Sequence, residues 1–122
     1  MDLLETLKQQ IRDNPVIIYM KGTPELPMCG FSQRAAQAMM DTGVEFAYVN
    51  VLQNPRIMEE LPKVADWPTF PQIYIDGELV GGCDIVLELH AQGELKPMME
   101  QAVAKAKEAK EKEQAGDDAS SS

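Results

Sequence analysis

A chain of 122 residues, 44% of them apolar, has room for one domain built on a single core. Its 11 basic and 20 acidic side chains leave a net charge of −9, and residues 105–122 hold four basic against five acidic groups, so the acidity belongs to the body of the chain. That excludes a protein that tracks a nucleic-acid backbone, which needs basic patches.

In chain order, Leu3, Leu4, Leu7 and Ile11 recur at helical spacing, with Asp2 and Glu5 three apart as a capping pair and Asn14-Pro15 as the stop. Val16-Ile17-Ile18-Tyr19-Met20 is an unbroken apolar run rich in β-branched residues, the pattern of a strand buried on both faces. The turn formers of Lys21 to Pro27 make a loop, and a helix from about Cys29 to Thr42 ends at Gly43. Phe46 to Val51 reads as a second strand, and Asn54-Pro55 opens a short helix with Pro in its first turn. A hairpin pairs Gln72 to Ile75 with Glu78 to Gly81 about Asp76-Gly77. Asp84 starts a helix that runs to about Gln92, and a last helix covers about Glu94 to Lys110. The expected fold is α/β: a mixed four-stranded sheet flanked by helices, with an extra helix at the N-terminus. Residues 1–110 form the domain. Residues 111–122 are a charged, Ser-rich tail expected to be disordered from Gln114, after weak i,i+4 support from Lys107–Glu111 and Glu108–Lys112.

No apolar run approaches the ~20 residues of a membrane span. The start Met1-Asp2-Leu3-Leu4-Glu5 lacks both the order of a signal peptide and the bias of a transit peptide. A cytoplasmic protein with its two cysteines reduced is therefore expected, without a structural disulfide.

The chemistry centres on Cys29. In Cys29-Gly30-Phe31-Ser32, a serine stands where a C-x-x-C redox motif carries its second thiol. Three distant segments should converge on this cysteine: Lys21 to Ser32, Trp67 to Pro71, and Gly81-Gly82-Cys83-Asp84. The first of them leaves the carboxyl end of a parallel strand, where α/β sheets bind ligands. A helix start and Lys21 both favour the thiolate of Cys29, so a lowered thiol pKa is expected. Asp84 also suits a helix N-cap. His90, Met39-Met40 and Met98-Met99 read as packing or surface residues rather than metal ligands, and Trp67 as the anchor of the loop before Pro68.

These residues together resemble the monothiol, CGFS-type glutaredoxins. The likeness extends over Met20-Lys21-Gly22, the inserted Pro24-Glu25-Leu26-Pro27, Trp67-Pro68-Thr69-Phe70-Pro71-Gln72 and Asp76-Gly77-Glu78-Leu79-Val80-Gly81-Gly82-Cys83-Asp84. It covers about residues 1–110 and is nearest to bacterial single-domain members. It implies a thioredoxin-like fold and a glutathione site. There Lys21 pairs with the glycine carboxylate, Phe70 before a cis Pro71 offers backbone hydrogen bonds, Cys83 adds backbone contacts and Asp84 holds the γ-glutamyl ammonium. One departure is Met58, which stands where the family usually has an arginine. Arg56 lies two residues earlier, about 200° around a helix, and Gln53 or Lys63 are the residues near enough to compensate.

The resemblance also implies a [2Fe–2S] cluster, which needs four ligands. Cys29 and one glutathione supply two per protomer, so two protomers complete the set and form a homodimer bridged by the cluster. BolA-type proteins and apo iron–sulfur proteins are the implied partners, and carrying the cluster is the implied function. The alternative is a glutathione-dependent oxidoreductase that removes glutathione from protein mixed disulfides through Cys29. The longer loop Thr23 to Pro27 stands against it, since that length goes with poor oxidoreductase activity in this class.

Overall fold

The computed structural model describes residues 2–121, with side chains as far as residue 112. Helix α1 (Leu3–Asp13) begins because the Asp2 carboxylate accepts the Glu5 N–H at 2.8 Å. It buries Leu7 and Ile11. All five residues of strand β1 (Val16–Met20) are buried, as a strand covered on both faces requires. Its side chains alternate between two cores. Val16, Ile18 and Met20 join Ala35, Met39, Val86, Leu95 and Met99 on one face, while Ile17 and Tyr19 join Leu7, Ile11, Leu61 and Tyr74 on the other. Each of the Val, Ile, Leu and Met side chains among them contributes roughly 2 kcal/mol by burial.

The sheet has the order β2-β1-β3-β4. Strand β2 (Ala47–Asn50) lies parallel to β1, with Met20 opposite Asn50. Strand β3 (Gln72–Ile75) is antiparallel to β1, and β4 (Glu78–Gly81) antiparallel to β3. Both hairpin-loop residues have positive φ, Asp76 at 55° and Gly77 at 79°, as a two-residue turn matched to strand twist demands.

β2 is shorter than the expected Phe46 to Val51. The Asn50 side chain ends it by accepting the N–H of Leu52 at 3.1 Å, which starts a 3-10 turn at Val51–Gln53. The helix expected after Asn54 is two helices, α3 (Pro55–Glu60) and α4 (Pro62–Ala65). Asn54 caps the first. Pro62, which has no N–H, breaks the hydrogen-bond ladder between them.

Helix α2 (Gly30–Asp41) packs against α5 (Cys83–Ala91) on one face of the sheet. The N-cap of α5 is Gly82 and no side chain caps it, so the N-cap role expected of Asp84 is not taken up; Asp84 lies in the first turn. Helix α6 (Leu95–Ser121) has a helical backbone well past Lys110. The side chains of 113–122, and with them the expected change of character at Gln114, lie outside the described residues. The two i,i+4 ion pairs expected near residue 110 are not formed. Lys105 instead reaches Asp76 in the hairpin turn, at 3.0 Å. No helix is long and apolar enough to cross a membrane among the described residues.

Candidate functional site

The cysteine loop closes on itself. Met28 N–H donates to the Lys21 carbonyl at 2.9 Å, Thr23 and Leu26 exchange backbone bonds at 3.2 and 3.1 Å, and Gly22 bridges Pro27. Gly22 is required, because its φ is +95° and a Cβ there would lie 2.5 Å from the Leu26 carbonyl. Its N–H is held by the Asn50 side chain at 2.9 Å. This returns Cys29 to the side of Lys21, at the N-cap position of α2.

Cys29 is half-buried and unpaired. Its thiol is held below the ordinary value, first by the Ser32 backbone N–H. Desolvation opposes this, and the Phe31 N–H, the Lys21 charge and the Ser32 hydroxyl reinforce it. Ser32 itself is 0% exposed, and its Oγ accepts the Lys21 N–H at 3.1 Å. The position of the missing second thiol is therefore a buried strut that joins the end of β1 to α2.

A cavity of about 790 Å³ opens beside the thiol. Lys21, Cys29, Phe70, Pro71, Cys83 and Asp84 all line it, so the structure brings the sequence-predicted residues together. The Phe70–Pro71 bond is cis, and the Phe70 backbone enters no hydrogen bond among the described residues. Asp84 is exposed, and neither its carboxylate nor the Lys21 ammonium has an ion-pair partner among those residues. Gly82 lets the walls meet: a Cβ there would stand 3.2 Å from the Pro71 carbonyl and 3.6 Å from the Trp67 indole. Cys83, 6% exposed, has its thiol pushed up, chiefly by burial.

Met58 lines the cavity where a cation was to be expected, and none of Arg56, Gln53 and Lys63 does. Lys63 is paired with Glu60 at 3.3 Å, so it does not stand in for the missing arginine. Trp67 does more than anchor a loop. Its ring lines the cavity, and its Nε1 is the one buried side-chain nitrogen or oxygen without a hydrogen-bond partner among the described residues. Phe31 and Ile85, both exposed, complete the apolar rim. Composition gives no sign of these roles; for Trp67 the signal is the W-P-T-F-P segment, already expected to converge on Cys29. No group of three or more His, Cys, Asp or Glu could hold a metal ion among the described residues.

The family model described as Glutaredoxin matches residues 16–80. Glutaredoxin 4 of Escherichia coli strain K12 is 56% identical over 104 residues, covering 85% of this chain and 90% of that protein. Among solved structures, reduced apo GrxS14 of poplar superposes with a TM-score of 0.71 at 42% identity, over 84% of this chain and 94% of that one. A buckwheat glutaredoxin–glutathione complex gives 0.72 at 27% identity, over 83% and 90%. The family match spans strands β1 to β4 and the lone thiol, and the bacterial likeness spans almost the whole relative; the chain belongs to the glutaredoxin family, among its monothiol members close to bacterial glutaredoxin 4.

Proposed function

We propose that this glutaredoxin binds glutathione in the Cys29 cavity and, as a homodimer, carries a [2Fe–2S] cluster to apo iron–sulfur proteins, with BolA-type proteins as further partners. The observation that carries the reading is a single acidified thiol facing a cavity whose second-thiol position is the buried Ser32. The donor set suits glutathione, an anion that also bears one ammonium. Lys21 would receive its glycine carboxylate and Asp84 its ammonium, with the Phe70 and Cys83 backbones between them. The absence of a side chain at Gly82 lets the Pro71 and Trp67 walls close up beside it, and a related buckwheat glutaredoxin is described as a glutathione complex. When bound, the cluster supplies an exchangeable iron–sulfur unit. Cys29 and the seated glutathione offer two thiolates per protomer, so a second protomer completes the four. Met58 in place of a cation implies a looser hold on glutathione. The site belongs to a protein at work in the cytoplasm.

Anaerobic reconstitution with iron, sulfide and glutathione, read by visible spectrum and sizing, tests this. A brown dimer is expected from the native chain and a colourless monomer from Cys29→Ser. The second reading rests on the same acidified thiol. Cys29 sulfur attacks the glutathione sulfur of a protein mixed disulfide and releases the protein thiolate; a second glutathione thiolate then cleaves the Cys29–glutathione bond to give glutathione disulfide. Efficient turnover of a glutathionylated substrate, with no colour on reconstitution, would replace the carrier with this enzyme.

A further inference from the structure

The segment Trp67–Pro71 lies between α4 and β3 with no ladder of its own. Two hydrogen bonds pin it at one residue: the Trp67 N–H donates to the Pro62 carbonyl at 3.1 Å, and the Trp67 carbonyl accepts from Gln72 Nε2 at 2.7 Å. Gln72 is 0% exposed, so its amide has no water to turn to. A carbonyl can only accept, which directs the NH2 end of Gln72 at Trp67 and turns Oε1 to Tyr74. The Tyr74 hydroxyl donates to that oxygen at 2.8 Å. Burial pushes this hydroxyl up to about 12, so it keeps its proton through the neutral range. Tyr74 is itself held edge-on by Tyr19, ring centroids 5.9 Å apart, and the Tyr19 hydroxyl donates to Gln10 of α1 at 2.6 Å. Neither Gln72 nor Tyr74 lines the Cys29 cavity.

We propose that Gln72, its amide oriented by the Tyr74 hydroxyl, is a positioning residue that holds Trp67 to Phe70 against Gly82 in the geometry that binds glutathione. The proposal rests on the glutathione reading of the cavity. Through this clamp Tyr74, which does not line the cavity, acts on a wall of the site.

Calorimetric titration with glutathione of the native chain, Gln72→Met and Tyr74→Phe tests it. Gln72→Met keeps the length of the side chain but cannot hold the carbonyl, and should bind about tenfold more weakly, the upper range for one neutral hydrogen bond. Tyr74→Phe, which leaves Gln72 Oε1 without its donor and so loosens the amide, should lose about threefold. In both variants the pH profile of Cys29 alkylation should stay native, because the groups that acidify the thiol lie in another segment. Native affinity in either folded variant overturns the proposal, as does a loss of affinity matched by a shifted thiol profile, which marks general damage to the fold. Should Gln72→Met fail to fold, Tyr74→Phe, which deletes one oxygen, decides the matter. A native chain that does not bind glutathione overturns the glutathione reading and this proposal together, whereas native binding with unchanged variants overturns this proposal alone.

Discussion

Both cysteines of this protein stand at the start of a helix, and their thiols are driven in opposite directions. Cys29, at the N-cap of α2, is half-buried and held below its ordinary value; Cys83, first residue of α5, is buried and pushed above it. A place at a helix start is therefore not enough by itself: the free N–H groups of the first turn acidify a thiol only where they reach its sulfur. Cys29 gains the Ser32 and Phe31 N–H groups and the Lys21 charge. Cys83 loses water, and the Arg34 charge does not make up for that loss, while the Asp84 charge adds to the rise. Two helix ends of the same polarity thus yield a nucleophile and a wall.

The largest expected difference is in reactivity. With iodoacetamide at neutral pH, Cys29 should react on the order of 100-fold faster than Cys83, because only the accessible thiolate attacks. Cys29→Ser should abolish the fast phase and Cys83→Ser should leave it intact; a fast phase that survives in Cys29→Ser would end the contrast. A smaller effect is expected of Ser32→Ala, which removes the hydroxyl but keeps the backbone N–H that ranks first for Cys29. Alkylation should slow by about threefold or less at neutral pH, and a tenfold loss would show that the hydroxyl outranks the N–H. The smallest effect is on stability. Both thiols have an ordinary value of 9.0. Where the folded value is lowered, the unfolded chain binds more protons, so Cys29 makes stability rise with pH from its folded value up to 9.0. Its contribution is lost as pH falls through that folded value. Cys83 does the reverse: its contribution is present below 9.0 and lost as pH rises through its folded value. Urea titrations from pH 7 to 10 should therefore show Cys29→Ser removing a rise and Cys83→Ser removing a fall, and slopes of the same sign would break the comparison.

Much of this arrangement is written locally. The apolar run of β1, the Asp76-Gly77 turn and Asn54-Pro55 each carry their own backbone preference, so strand, hairpin and helix start could be read directly. Cys29, Lys21, Pro71 and Asp84 were legible because one spacing pattern binds them. What escaped depends on contacts across the fold. Asn50 ends β2 with a side chain that also serves Gly22, 28 residues earlier in the chain. Gly82, not Asp84, stands at the N-cap of α5, where the chain comes close to Pro71 and Trp67. The burial of Ser32 and the clamp of Gln72 on Trp67 have no periodicity to betray them; each is a polar group that finds its partner only once the sheet has formed.

Trp67 is the sole tryptophan of the chain, and its indole lies in the wall of the site. The indole emission of the protein therefore arises at one address, in the cavity that Cys29 lines. A guest seated against the indole changes its surroundings and shifts that light, and a coloured guest that absorbs in its range dims it. The native molecule thus reports its own occupancy without a dye, a tag or a substitution.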